Sequence, residues 1–183
     1  MESNPLEQAA AGAARIADAI GRVMAGQAHS VRLIVAAFLA GKRLAVAGVS
    51  REAKGHVGNA IFKKLVAGGY EVFPVNPAAS EVEGVKCYPS VGAIPGEIDG
   101  VVIATHPDAT ASIVRQCTDK GVKHIWFHRS FGQGSVSKEA LAACQAHGIV
   151  AIEGGCPLMY LEPVDGGHKF ICKLLTFFGK VPK

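Results

Sequence analysis

The chain has 183 residues, of which 49% are hydrophobic and 19% are charged, and this composition is typical of one compact domain with α and β structure. It excludes a disordered chain, a collagen and a coiled coil. The net charge is +4 and charges of one sign form no long block, so the charge pattern indicates no nucleic-acid partner.

Cysteine spacing and hydropathy together favour a cytoplasmic protein. The chain has five cysteines, an odd number, and no two of them have the CxxC spacing of zinc or redox sites. This usage fits the reducing cytosol. The longest apolar stretch, Val31–Ala40, contains Arg32 and is far shorter than the ~20 residues of a membrane helix, so we expect no membrane partner. The N-terminus also lacks the basic patch and apolar core of a secretion signal.

Residues 1–40 are predicted to form an N-terminal helical extension. Apolar residues recur at helical spacing from Ala13 to Ala25, and Gly26 ends this helix. A second helix is predicted over Val31–Ala40, where Gly41 stops it. An apolar helix of this kind can dock a partner or a second copy of the chain, so one hypothesis is an interaction scaffold or a homodimer.

From residue 41 to residue 183 short apolar runs alternate with helical patterns, which indicates a second unit. The predicted elements are strand Leu44–Ala47, helix Val57–Ala67, strand Tyr70–Val75, strand Ile98–Ala104, helix Ala109–Asp119, strand His124–Phe127, helix Ser135–Ala146, strand Ile149–Ile152 and helix Phe170–Phe178. This alternation predicts an α/β fold, Rossmann-like and doubly wound, with a mainly parallel five-stranded sheet. Ligands bind such sheets beyond the carboxyl ends of the strands, so residues that follow each strand are the candidates for a site.

The turn after the first predicted strand is rich in small residues and opens into a helix. Its candidate ligand-binding residues are Gly48, Val49, Ser50, Arg51, Lys54 and Gly58. Backbone N–H groups in such a turn can approach phosphate oxygens, and the helix N-terminus adds a partial positive charge. Arg51 and Lys54 can supply full charges. The alternative is an ordinary strand–helix turn with a solvated basic rim.

Two features of the sequence argue against an ordinary NAD-dependent dehydrogenase. The turn departs from the G-x-G-x-x-G fingerprint, because Ser50 stands in place of the second glycine. The second predicted strand ends in Asn76-Pro77, where an NAD site needs an acid and an NADP site needs a nearby arginine. Turn chemistry alone also explains Asn76-Pro77. An NAD(P)-binding reductase or redox sensor is therefore kept as the second hypothesis.

Polar residues also follow the next two strands. Thr105-His106-Pro107 comes after the strand that ends at Ala104, and His106 can titrate near neutrality. The alternative is a helix start with proline in its first turn. His128 and Arg129 follow the strand His124–Phe127, where Arg129 can contact an anion or belong to the solvated rim.

A metal site is not expected, because the two histidines His124 and His128 on one strand face have no run of further ligands near them. Cys156 follows the last predicted strand. It is a candidate contact there, and the alternative for it is a small buried thiol.

Several segments in chain order resemble the small stand-alone CoA-binding domain proteins. The segments are Ala45–Ser50, Gly68–Pro77, Gly84–Val91, Gly121–Trp126 and Ala146–Val150. The resemblance covers about residues 42–161. This fold is similar to the CoA-binding domain of the succinyl-CoA synthetase alpha subunit, in which the glycine-rich turn holds the CoA phosphates. The strand that many family members close with Gln-Leu-Gly ends here in Phe127-His128-Arg129, which departs from the family pattern.

The resemblance implies coenzyme A or an acyl-CoA as the ligand of this chain, a small nucleotide molecule. It places the phosphates at the turn that contains Gly48 to Lys54, the adenine beside Asn76-Pro77, and Thr105-His106-Pro107 at a third ligand loop. Cys156 would lie near the thiol arm, where it could form a mixed disulfide with CoA under oxidation. The phosphorylated histidine of the synthetase belongs to a second domain without a counterpart in these residues, so the resemblance implies a binding module with no evident catalytic apparatus.

Overall fold

The computed structural model describes residues 38–52, 55–129 and 134–161, together with 163–164, 166–167 and 169–170. Residues 38–40 are helical. The rest of the two predicted N-terminal helices, Lys54 and the predicted closing helix beyond residue 170 lie outside the described residues.

Strands and helices alternate along the described chain as the sequence pattern predicts. In chain order the elements are β1 (Arg43–Ala47), α1 (Val57–Ala67), β2 (Glu71–Val75), β3 (Glu81–Val82), β4 (Val85–Lys86), β5 (Gly100–Ile103), α2 (Pro107–Lys120), β6 (His124–Phe127), α3 (Lys138–Ala146) and β7 (Val150–Glu153). The third helix begins after Ser137, three residues later than predicted, because the Ser137 side chain caps it by accepting from the Ala140 N–H.

Five of the strands form one parallel sheet in the order β2-β1-β5-β6-β7. The predicted α/β Rossmann-like architecture is therefore confirmed. Because β1 has β2 on one side and β5 on the other, the strand order reverses at β1. In open parallel sheets this reversal is the point at which a crevice opens beyond the carboxyl ends of the strands.

Both faces of the sheet are covered, which explains the continuous apolar runs of its inner strands β1 and β5. Alternate residues of β1 point to opposite faces: Leu44 and Val46 join a core cluster with residues of α1, whereas Ala45 and Ala47 join a cluster with residues of α2 and α3. These four residues are at most 1% exposed. A strand buried on both faces carries no polar alternation, as is typical of parallel sheets.

The two-residue strands β3 and β4 form an antiparallel hairpin that the sequence pattern does not predict. Strands of two residues are too short for a periodic signal. Their turn consists of Glu83 and Gly84, which have φ values of 51° and 78°. Val82 packs into the same core cluster as α1, so the hairpin lies against that helix.

No helix in the described part of the chain has the length and apolar content needed to cross a membrane.

Candidate functional site

A cavity of about 410 Å³ opens at the point where the strand order reverses. Its walls come from the turns after β1, β2 and β5 and from one face of α2. The lining includes Gly48, Val49, Asn76, Pro77, Thr105 and Gln116. Every described residue of the lining is uncharged, so this part of the cavity suits an uncharged part of a ligand.

Two glycines bring the backbone of this region close together. Gly48 has a φ of 99°, and a Cβ at this position would lie 2.5 Å from the carbonyl oxygen of Ala104. A Cβ on Gly58, in the first turn of α1, would collide with the carbonyl oxygen of Gly48. The first turn of α1 therefore packs directly on the turn after β1, an approach that a side chain would block.

Asn76 connects the turn after β1 to the end of β2. Its Nδ2 donates to the carbonyl oxygen of Val49 at 2.7 Å, and its Oδ1 accepts from the Ala78 N–H at 2.8 Å. The second bond is the local turn chemistry expected of an asparagine before proline. The first bond joins two loops that are distant in sequence, so Asn76 does more than form its own turn.

Asn59, which lies within α1 and does not follow a strand, holds the same turn from the helix side. Its Oδ1 accepts from the Ser50 N–H at 2.7 Å, and its Nδ2 donates to the Ser50 carbonyl oxygen at 2.9 Å. The side chain is buried. A lone asparagine in a helix gives no sequence signal, but its place directly after Gly58 puts it at the contact between α1 and the turn.

The N-terminus of α1 faces this turn without a side-chain cap. His56 occupies the N-cap position and makes no side-chain cap bond, and the first turn contains no acidic residue. The partial positive charge of a helix N-terminus favours an anion there. Arg51 is exposed in the connecting loop, where the Ser50 hydroxyl accepts from the Glu52 N–H at 3.1 Å.

The loop after β5 combines a cavity wall with a helix start. Thr105 lines the cavity, and its carbonyl oxygen accepts from the Ser135 hydroxyl at 2.6 Å. Pro107 is the first residue of α2, as expected for a helix start with proline. His106 is the N-cap, and its Nδ1 lies 3.1 Å from Oδ2 of Asp108 at the exposed rim.

Three other predicted contacts do not line this cavity. His128 is 7% exposed, and burial lowers its pKa from the ordinary value of 6.5, so the ring is neutral at pH 7. Arg129 is exposed, and its backbone N–H donates to the carbonyl oxygen of Gly155 at 3.0 Å. Cys156 is 2% exposed and belongs to the core cluster that contains Trp126.

Further cavity residues lie within a helix rather than after a strand, so the strand-end rule does not predict them. Ser112, Ile113 and Gln116 of α2 line the cavity opposite the turn after β1. The Gln116 Oε1 accepts from the Val91 N–H at 2.9 Å, which fixes its amide. In the described ranges no group of three or more His, Cys, Asp or Glu side chains could hold a metal ion.

The fold and the cavity together define a Rossmann-like protein with a candidate ligand site at the reversal of strand order. Residues 42–162 match the family described as "CoA binding domain". The match spans more than half of the chain, so the chain belongs to this family and the resemblance seen in the sequence is confirmed. A domain of this family implies a small-molecule ligand.

The chain is similar both to a part of a larger ligase subunit and to a small protein of comparable length. The chain is 40% identical over 83 residues to the alpha subunit of ADP-forming acetate–CoA ligase II from Pyrococcus furiosus. The matched residues make up 45% of this chain but only 18% of that subunit. Among solved structures, a hypothetical protein from Pyrococcus horikoshii has a TM-score of 0.65 and 31% identity, covering 75% of this chain and 91% of its own.

A larger solved enzyme contains the same domain. The dinucleotide-forming acetyl-coenzyme A synthetase 1 of Candidatus Korarchaeum cryptofilum has a TM-score of 0.53 and 27% identity, covering 61% of this chain and 25% of the enzyme. This chain therefore matches one part of the ligases and nearly the whole of the small archaeal protein.

Proposed function

We propose that the protein binds coenzyme A or an acyl-CoA at the turn after β1, without catalytic groups of its own at that site. The observation that carries this proposal is the uncharged cavity directly beside an uncapped helix N-terminus. Its volume of about 410 Å³ lies in the range of small-molecule sites, ~300–1,000 Å³. Membership of the CoA binding domain family supports the choice of ligand.

The uncharged cavity suits the base of the nucleotide, and the N-terminus of α1 suits its phosphates. Apolar walls with a few amide and hydroxyl groups accept a flat, uncharged base, so the adenine would enter the cavity between Pro77 and Ile113. Phosphates are excluded from such a lining by their desolvation cost. They would lie outside it, against the first turn of α1 and near Arg51, with Lys54 as a further proposed contact.

The structure gives no corresponding support to a nicotinamide cofactor. A dinucleotide site holds the ribose hydroxyls with an acid at the end of the second strand. Asn76 occupies that place and carries no carboxylate.

Isothermal titration calorimetry of the full chain with CoA, acetyl-CoA, dephospho-CoA, NAD and NADP tests the proposal. We expect CoA and acetyl-CoA to bind and NAD and NADP not to bind. Binding of NAD or NADP without binding of CoA would overturn it. Arg51→Ala should weaken CoA more than dephospho-CoA if the 3′-phosphate lies near Arg51, and equal losses would contradict that placement.

A further inference from the structure

We propose that Glu83, in the turn of the β3–β4 hairpin, is a positioning residue for the turn after β1 and that it acts through the side chain of Asn59. The inference rests on the proposed function, because the turn that Glu83 positions is the one proposed to bind the CoA phosphates. Glu83 does not line the cavity. Its proposed effect on a ligand acts through the turn that Asn59 holds.

Asn59 is the link between the hairpin and the turn. Its side chain is 1% exposed and bonds both backbone polar groups of Ser50, at 2.7 Å and 2.9 Å. The amide nitrogen Nδ2 has a second hydrogen, which it donates to Oε1 of Glu83 at 3.0 Å. Both amide hydrogens and the amide oxygen of Asn59 are thus used.

Glu83 reinforces the orientation that the two Ser50 bonds already give this amide. A carboxylate oxygen can only accept, so the Asn59 NH₂ group must face Glu83 and the amide oxygen must face the Ser50 N–H. The hydrogen bond from Asn59, followed by the ammonium of Lys63 with Nζ 3.3 Å from Oε1, lowers the pKa of Glu83. Without the carboxylate, a buried N–H of Asn59 would lose its partner, which is unfavourable.

The identity of residue 83 supports a role for its side chain rather than for its backbone. Glu83 has a φ of 51°, in the left-handed region that two-residue hairpin turns require and that Asn, Asp or Gly adopts more readily. A glutamate is therefore a poor choice for the turn itself. Its side chain is only 16% exposed, since it points to Asn59 and Lys63.

The negative charge of Glu83 and its proposed positioning role predict opposite changes in CoA affinity when the side chain is removed. A carboxylate near a polyanionic ligand repels it, so removal of the charge alone would tighten CoA binding. Glu83→Gly removes the side chain and also suits the positive φ, so the hairpin should remain folded. If Glu83 positions the turn, this variant must nevertheless bind CoA more weakly. Glu83→Gln removes the charge but retains an oxygen that can accept from Asn59.

Calorimetric titration with CoA is made for the wild type, Glu83→Gly, Glu83→Gln and the control Glu81→Ala. Glu81 is an exposed acid in the same hairpin. We expect Glu83→Gly to raise the Kd about five- to tenfold, as for loss of one hydrogen bond, and the other two variants to bind CoA no more weakly than the wild type. An unchanged or lower Kd for Glu83→Gly, or a failure of Glu83→Gln to restore binding, would overturn the inference.

Amide hydrogen exchange of the ligand-free proteins separates this inference from the proposed function. Glu83→Gly should speed exchange at the Ser50 N–H, and Glu81→Ala and Glu83→Gln should not. If the wild type binds no CoA, the proposed function fails and the exchange rates alone decide the inference. Unchanged exchange at Ser50 in Glu83→Gly would overturn it whether or not CoA binds.

Discussion

The Nδ2 of Asn76 donates to the carbonyl oxygen of Val49 over 2.7 Å, and this bond joins the ends of two neighbouring strands. Strands β1 and β2 run parallel with Ala47 opposite Val75, so the bond lies directly beyond their last pair. Both Asn76 and Val49 line the cavity. The Asn76 amide therefore helps to hold one wall of the candidate site, together with the bond from the Gly48 N–H to the Val75 carbonyl oxygen at 3.3 Å.

Asn76→Asp should destabilise the protein and weaken CoA binding. The aspartate can still accept from the Ala78 N–H, but it has no hydrogen for Val49 and places a carboxylate oxygen against a carbonyl oxygen. We expect a loss of about 1–3 kcal/mol in the free energy of unfolding, measured by urea denaturation. Ser80→Ala, an exposed change in the same loop, is the control. If the Asn76→Asp variant is as stable as the wild type, the Val49 bond is dispensable.

Ser112→Tyr should block the cavity without unfolding the protein. Ser112 lies on the exposed side of α2 and lines the cavity, so a larger side chain there has room to project into the ligand space. We expect CoA binding to weaken about tenfold or more, which corresponds to about 1.4 kcal/mol, in calorimetric titration.

The matched control for this change is Asp119→Tyr, at an exposed position of the same helix outside the cavity lining. Both variants should unfold thermally within a few degrees of the wild type. Equal CoA affinities for the two variants would place the ligand somewhere other than this cavity.

The fold was predictable because its inner strands are buried on both faces. Continuous apolar runs such as Leu44–Ala47 are typical of strands buried in this way. The β3–β4 hairpin was not predicted. Val82 packs into the core, and a strand of only two residues has no periodic pattern that would indicate this contact.

The candidate site was predictable only in part. The rule that ligands bind beyond strand ends identified Gly48, Asn76 and Thr105, which do line the cavity. The same rule treats all strand ends alike, and it therefore also selected His128 and Cys156, which the structure buries away from the lining.

Asn59 was not predictable from strand ends. It is a polar residue in a helix, and its buried position depends on the hairpin residue Glu83 and on the close approach that Gly58 permits. The contact needs the turn after β1, the first turn of α1 and the β3–β4 hairpin to come together, so the sequence of any one of these segments does not indicate it.

Gly58→Ala should be destabilising although alanine is the better helix former. In an open helix this substitution stabilises by about 1 kcal/mol. Here the added Cβ would meet the Gly48 carbonyl oxygen and force α1 away from the turn. Since backbone atoms cannot give way cheaply, we expect a net loss of about 1–3 kcal/mol in urea denaturation.

Gly92→Ala provides the comparison, because a Cβ at that position meets only the Ser90 hydroxyl oxygen at 3.9 Å. It should change the free energy of unfolding by about 0.5 kcal/mol or less. If Gly58→Ala lowers the free energy of unfolding no more than Gly92→Ala does, the first turn of α1 does not pack against the turn after β1 as closely as the structure indicates.

Stability should fall with pH below neutrality because of His128. Burial lowers the pKa of this side chain below its ordinary 6.5, so the unfolded chain takes up a proton at a higher pH than the folded protein does. The neutral ring therefore contributes stability that is fully present above about pH 6.5 and is lost as the pH falls through the folded pKa. His128→Gln removes this group, so its urea midpoint should decrease less than that of the wild type between pH 7 and pH 5. Identical decreases in the two proteins would mean that His128 takes up its proton equally well in the folded state.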